Sequence, residues 1–324
     1  GKIIAMRGLG GFHLVVDAFN DQAVGILRQR KGRAEKPFAL MAPDVATIRR
    51  FCRVDAAEES LLRDTASPIV LLKRTADSAV APSVAPRQEY LGFMLPYAPL
   101  HHLLLTDRFD ALVMTSANLA EEPISISNTE AFERLSGIAD YFLTHDREIL
   151  QRCDDSVTRI VRGETRFNRR SRGYVPAPIL LPRATKRPVL AVGGELKNTI
   201  ALSRDRDVFL SQHVGDLDNP EAYRFFEGSI QHLQSILEIE PEMIACDLHP
   251  EYLSTKWAVE QELPRVNVQH HHAHLASVMA ENGVTEPTIG IILDGTGYGT
   301  DGTIWGGEVL VGDLGRFYRF AWLN

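Results

Sequence analysis

Cysteine is scarce: Cys52, Cys153 and Cys246 are the whole complement of 324 residues, and no two stand in CxxC spacing. That excludes a disulfide framework and a cysteine-type zinc finger, and predicts a reducing, cytoplasmic setting. Long apolar runs are missing too. None approaches the ~20 residues of a membrane span, so no membrane partner is expected. The opening Gly1-Lys2-Ile3-Ile4-Ala5-Met6 lacks a secretory pattern and reads as a strand already under way. Positive charge is in deficit, with 35 Lys and Arg against 42 Asp and Glu. The net charge of -7 argues against nucleic acid as a general partner, while leaving room for local basic clusters that hold phosphates. There is no internal repeat and no low-complexity tract.

What is present fits a folded α/β protein. A hydrophobic content of 44% with 24% charge argues against disorder, and the length predicts two domains. In the first half, short apolar runs at 2–6, 38–41, 69–73, 111–115 and 141–144 alternate with helical stretches at 21–31, 44–50, 56–63 and 129–135. The prolines from Pro176 to Pro188 resist helix and central strand alike. They predict a linker at 176–188 between domains at 1–175 and 189–324. After the linker come strands at 189–192, 199–203 and 208–211. A long helix follows, opened by Asn219-Pro220-Glu221 with cap, proline and early carboxylate in the expected order. Strands at 243–247, 266–269 and 289–294 then alternate with helices at 254–262 and 271–281. This order resembles one lobe of the actin-like nucleotide-binding fold, with the second lobe missing.

Two basic clusters could serve phosphates. Lys31, Arg33 and Lys36 fall within six residues at a predicted helix-to-strand junction. Six arginines, among them Arg162, Arg170 and Arg172, crowd residues 159–172 against one acid, Glu164. Arginine's planar fork suits phosphate oxygens, although a solvated basic surface is the plain alternative. Thr115-Ser116-Ala117-Asn118 closes an apolar strand, where α/β folds commonly hold ligands; Ser and Asn also simply make turns.

The order of these segments resembles the YrdC/TsaC family over residues 1–175. The likeness rests on Lys31, Arg33, Lys36 and Pro37, on Ser116-Ala117-Asn118-Leu119 with Glu122-Pro123, and on Ile160-Val161-Arg162-Gly163. That resemblance implies a twisted α/β domain that binds ATP with Mg and makes a carbamoyl-type adenylate. Its site residues would be Lys31, Arg33, Lys36, Ser116, Asn118, Arg162, Arg170 and Arg172. Arg7-Gly8-Leu9-Gly10-Gly11-Phe12-His13-Leu14, Pro96-Tyr97-Ala98-Pro99-Leu100-His101-His102 and Arg169-Arg170-Ser171-Arg172-Gly173-Tyr174 depart from the usual threonine-binding pattern. They resemble the HypF branch, which argues against threonine as substrate.

In the second half, His270 and His274 stand four apart at a predicted helix start, so one face carries both and they can share a metal. Histidines scattered on a helix surface are the bland alternative. Asp294, at the end of a predicted strand, is the third candidate ligand; two nitrogens and a carboxylate suit zinc or iron(II). His271 and His272 are rotated off that face and are not expected to ligate. Gly295-Thr296-Gly297-Tyr298-Gly299-Thr300-Asp301-Gly302 contains GxGxxG, but a strand at 305–311 follows where a dinucleotide site requires a helix. A turn whose N–H groups meet phosphate or metal-bound oxygen fits better. Lys197 and Asn198, in Gly193-Gly194-Glu195-Leu196-Lys197-Asn198, could donate to nucleotide phosphates or sit in an ordinary polar hairpin. With Trp305-Gly306-Gly307-Glu308, these segments resemble the TsaD-type domain of the HypF family.

The combined resemblance implies an ATP-dependent carbamoyltransferase. Lys197, Asn198, Gly295 and Gly297 would meet nucleotide in the second domain, and His270, His274 and Asp294 would hold one Zn or Fe ion. The substrate would be carbamoyl phosphate and the partner a HypE-type maturation protein, whose C-terminal cysteine takes the carbamoyl group for cyanide synthesis in [NiFe]-hydrogenase maturation. An O-carbamoyl- or threonylcarbamoyl-transfer enzyme, or a non-catalytic nucleotide- or RNA-binding module, remain alternatives. No catalytic residue is singled out.

Overall fold

Residues 8–11 form a tight connection between two antiparallel strands, closed by the Gly8 N–H on the Gly11 carbonyl at 2.9 Å, and Phe12-His13-Leu14-Val15-Val16 continues as the second strand. The structure, a computed structural model, describes residues 1–118 and 122–323. It separates into two units, Gly1–Tyr174 and residues 175 onward.

The first unit begins with β1 (Ile4–Arg7), β2 (Phe12–Asp17), α1 (Asp21–Arg30), β3 (Ala39–Met41), α2 (Val45–Ile48) and α3 (Ala56–Leu62). It continues with β4 (Ile69–Lys73), β5 (Tyr90–Met94), α4 (Pro99–Leu105), β6 (Leu112–Ser116) and α5 (Asn128–Leu135). β7 (Tyr141–Leu143), β8 (Val157–Val161) and β9 (Glu164–Arg169) complete it. Among the described residues the strands form one mixed sheet, ordered β7-β1-β2-β6-β3-β5-β4-β8-β9. One face, carrying Phe12, Leu14, Leu40, Phe93 and Val113, packs on α1, α2, α3 and α5. The other carries Met6, Val15, Met41, Met94 and Met114 and is covered by α4 through Leu105, with Leu100 and Leu104 beside it. α4 covers this face only in part, so the polar residues of the same face gather beside it.

The second unit opens with β10 (Ile179–Leu180), β11 (Val189–Ala191), β12 (Ala201–Arg204), β13 (Asp207–Leu210) and α6 (Pro220–Leu237). β14 (Met243–Asp247), α7 (Leu253–Glu260), β15 (Arg265–Val268) and α8 (His270–Glu281) follow. Then come β16 (Thr288–Ile292), β17 (Gly297–Tyr298), β18 (Ile304–Trp305), β19 (Glu308–Gly312) and β20 (Phe317–Trp322). Segment 176–188, expected as a plain linker, donates β10 as an edge strand of the sheet β10-β13-β12-β11-β14-β15. An edge is where a proline-flanked strand is tolerated, since its missing N–H would break an interior ladder. α6 starts as its sequence predicts: the Asn219 side chain accepts from the Ala222 N–H at 2.8 Å with Pro220 next in line. Phe225, Phe226, Ile230 and Leu233 are its buried stripe.

β16, expected as the last strand of that sheet, pairs instead with β19 in a separate sheet, β16-β19-β20. Its alternation explains this. Gly290 and Ile292 are buried and face Leu275 and Met279 of α8, whereas Ile289 and Ile291 are 69% and 70% exposed. α8 therefore begins at the edge of the six-stranded sheet and packs on the three-stranded one, which brings both to its first turn.

Candidate functional site

In the first unit, α1 ends in a loop whose backbone carbonyls are gathered by one guanidinium. Arg28 donates to the carbonyls of Arg33, Ala34 and Lys36 on one side and of Ser83 and Val84 on the other. So braced, the loop sends Lys31 inward, 7% exposed, and its Nζ donates to Ser116 O, Asn118 O and Asn118 Oδ1 at 2.8, 2.7 and 2.6 Å. Ser116 Oγ donates to Asn118 Oδ1 at 2.9 Å, and Asn118 Nδ2 to Glu122 O at 2.6 Å. Burial first, and then the Arg33 charge, push the Lys31 amine down to about 7. Arg33 lies alongside, donating to Thr115 Oγ1 and Pro37 O, and burial lowers it to about 10. The structure thus brings Lys31, Arg33, Ser116 and Asn118 together, with Lys36 exposed on the same loop. Leu119 of that motif lies outside the described residues.

The arginines divide. Arg162 does not join this group: it occupies the exposed tip of the β8–β9 hairpin, where Arg162 and Gly163 both take positive φ. Four strand steps separate β8 from β6 along the sheet. Arg170 turns to the Tyr174 carbonyl at 3.3 Å and lies over the Phe167 ring. Arg172 is not available to a phosphate. Its fork donates to Asp155 Oδ1 at 3.0 and 2.8 Å, to Ala66 O and to Ser67 O, and its plane lies 3.5 Å over the Tyr97 ring.

Asp155 is the residue that the sequence did not mark. Its carboxylate also accepts from Tyr97 Oη at 3.1 Å and stands 3.3 Å from His13 Nε2. Burial opposes its charge, but the His13 contact and Arg172 outweigh burial and hold its carboxyl well below the usual range. His101, 1% exposed, sets its ring edge-on to Tyr97, and burial, with the nearby His13, lowers its imidazole to about 3. His13, Tyr97, His101 and Arg172 come from the three segments that depart from the threonine-binding pattern. They meet around one carboxylate. His13 is also the cross-strand partner of Ser116, so this cluster adjoins the Lys31 group.

In the second unit the parallel strands β11, β14 and β15 present their C-terminal ends to one edge, where α/β sheets hold ligands. α8 starts there. Its first residue, His270, offers Nε2 to Asp294 Oδ2 at 3.0 Å, and His274, one turn on, offers Nε2 to the same oxygen at 3.2 Å. Donor atoms of His270, His274 and Asp294 all lie within 4.8 Å of one another. Neighbouring ligands of a tetrahedral zinc bonded at about 2.0–2.1 Å stand about 3.3 Å apart, so the three residues fit one ion. The hydrogen bond that His270 donates to Asp247, with the charges of Asp247 and Asp294, raises His270 against the effect of burial. The bond to the Gly295 N–H, with His274 and His270, lowers Asp294 against the effect of burial.

The other histidines face elsewhere. His271 is fully buried with Nδ1 3.2 Å from Gln269 Nε2, and His272 Nε2 meets the Asp313 carbonyl at 2.8 Å. Asn198 is not a free donor: its amide is spent on the carbonyls of Val192 and Gly194 at 2.8 and 2.7 Å, which fixes the loop after β11. Lys197 is exposed, its N–H bonded to Asp216. The Gly295 N–H is taken by Asp294, and Gly297 lies against His271 so closely that a Cβ would fall 2.5 Å from its ring. Behind this loop, buried Glu308 pairs with Arg319 at 2.7 and 2.8 Å, and Arg319 lies between the Trp305 and Trp322 rings. No helix among the described residues is long and apolar enough to cross a membrane.

Comparison with known proteins matches both units. A family model described as "Telomere recombination", of the Sua5, YciO and YrdC proteins, covers residues 1–171. One described as "HypF Kae1-like domain" covers 184–281, and one described as "Carbamoyltransferase, Kae1-like Domain, second subdomain" covers 290–324. The last range begins within β16 and takes in β19 and β20 of the three-stranded sheet. A carbamoyltransferase HypF of Rhizobium leguminosarum bv. viciae is 48% identical, covering 98% of this chain and 43% of that protein. Its counterpart in Synechocystis is 48% identical, covering 100% and 42%. The chain thus spans less than half the length of these curated relatives. A crystal structure of full-length HypF in the phosphate- and nucleotide-bound form is 49% identical with a TM-score of 0.94, covering 98% of this chain and 50% of that one. The T. kodakarensis HypF structure is 42% identical with a TM-score of 0.95, covering 100% and 43%.

Proposed function

The chain belongs to the HypF family, whose curated members are named carbamoyltransferases, and from that premise we propose that it activates a carbamoyl group with ATP and passes it on. Water first releases inorganic phosphate from carbamoyl phosphate, and in the first unit an oxygen of the resulting carbamate attacks the α-phosphate of ATP. Carbamoyl adenylate forms and pyrophosphate leaves, with Mg accompanying the nucleotide. The second unit transfers the group to the C-terminal cysteine of a HypE-type maturation protein, towards the cyanide ligands of [NiFe]-hydrogenase iron.

The observation that carries this reading is the presence in one chain of two sites of unlike chemistry. Lys31 and Arg33, partly stripped of water, form a cationic centre that favours a polyphosphate, although in the free protein the Lys31 amine is engaged by the oxygens of Ser116 and Asn118, which a phosphate would have to replace. His270, His274 and Asp294 form an N,N,O donor set. A Zn or Fe ion held there would polarise a carbonyl oxygen and steady developing charge. Ser116 and Asn118 hold the strand end against Lys31, and the Asp155 cluster beside them is built from the three segments that depart from the threonine-binding pattern, which supports a substrate other than threonine. The nucleotide and phosphate bound by the HypF structure that this chain resembles support ATP as ligand.

The test is pyrophosphate release by the chain given ATP and carbamoyl phosphate, against ATP with threonine and bicarbonate. Release with carbamoyl phosphate alone is expected. Release only with threonine and bicarbonate would replace this reading by threonylcarbamoyl transfer. Salt-dependent RNA binding without any pyrophosphate release would replace it by a binding module.

A further inference from the structure

We propose that Asp247 selects which ring nitrogen of His270 is offered to a metal, an inference that rests on His270, His274 and Asp294 being a metal site and on no particular reaction. Asp247 ends β14 and is 8% exposed. Its two oxygens have separate partners. Oδ1 accepts from the His249 N–H at 2.8 Å, and Oδ2 lies 2.7 Å from His270 Nδ1. A carboxylate held by a backbone donor on one oxygen can only accept on the other, so the proton of that contact belongs to Nδ1 of His270. The opposite nitrogen, Nε2, then faces Asp294 Oδ2 and is the one left to ligate. Asp247 is therefore a positioning residue: it orients the ring and decides the tautomer, as carboxylates behind metal-bound histidines do.

An isosteric change separates this role from plain packing. In Asp247→Asn the amide must keep its oxygen on the His249 N–H, so its NH2 takes the place of Oδ2 and donates to His270 Nδ1. Nδ1 then carries no proton, and the proton sits on Nε2, the nitrogen that a metal requires. The substitution preserves volume and the His249 bond while inverting the tautomer. The experiment is Zn2+ affinity of the full chain by competition with a chromogenic chelator, together with the unfolding midpoint in urea. Asp247→Asn should lose roughly 10–100-fold in affinity, comparable to Asp247→Ala, with its midpoint close to that of the unsubstituted chain. If Asp247→Asn binds Zn2+ as the unsubstituted chain does while only Asp247→Ala is impaired, Asp247 merely packs and the proposal is overturned. If the unsubstituted chain binds Zn2+ no better than His270→Ala/His274→Ala, the metal reading falls and this proposal with it.

Discussion

Replacing Lys31 by methionine keeps the length of the side chain and removes the amine that gathers Ser116 and Asn118. In the free protein burial and Arg33 push that amine down to about 7, against its three oxygen acceptors, which favour the ammonium; at that value about a tenth of it is protonated at pH 8. A polyphosphate placed beside it favours the ammonium. The complex then binds more protons than the free protein, and affinity must fall as pH rises. If the bound amine titrates above pH 10, ATP binding takes up about 0.9 proton at pH 8 and weakens about fiftyfold from pH 7 to pH 9, or ~2.3 kcal/mol. Isothermal titration at pH 8 in two buffers of different ionisation heat reads the proton uptake directly. Lys31→Met should bind ATP more weakly and take up almost no proton. Uptake near zero in the unsubstituted chain while ATP still binds, or the same pH slope in Lys31→Met, would refute the argument.

Arg33→Ala should weaken ATP binding by roughly 1.5–3 kcal/mol, one charge-assisted contact, in the same titration. Asp155→Asn strands the half-buried Arg172 and should cost roughly 3–5 kcal/mol in urea unfolding. Because the Asp155 carboxyl titrates below its unfolded value, its contribution is present above about pH 4 and lost as acid protonates it, so that acid-dependent loss should flatten in the variant. Arg319→Met leaves Glu308, 1% exposed, without its cation, and should lower stability by a similar roughly 3–5 kcal/mol. The outer face of β16 and β20 exposes Ile289, Ile291, Tyr318 and Phe320 together, a patch of the kind that associates. Ile291→Thr with Phe320→Thr should reduce self-association in analytical ultracentrifugation.

Much of the architecture was legible because it is local. The cap and proline at Asn219-Pro220 declare α6, and the four-residue interval of His270 and His274 declares a shared face, since both follow from the geometry of a single helix. β2 and β5 were harder to see, the first behind glycines and the second in a short run holding Gly92, where periodicity has too few residues to register. The fate of the arginines was not legible at all. Arg162, Arg170 and Arg172 have the same chemistry, yet one stands at a hairpin tip, one turns to Tyr174, and one is consumed by Asp155.

The sequence by itself determined the two-part α/β organisation, the cationic loop at Lys31 and the histidine pair of α8. It did so because helix turns, strand alternation and proline act over a few neighbouring residues. Only the tertiary structure decided that β16 leaves the six-stranded sheet, that Asp155 draws His13, Tyr97 and Arg172 together from segments more than fifty residues apart, and that Asp247 stands behind His270. Those choices depend on which buried charge finds a partner and which apolar face finds a cover, and both are settled by packing between distant parts of the chain.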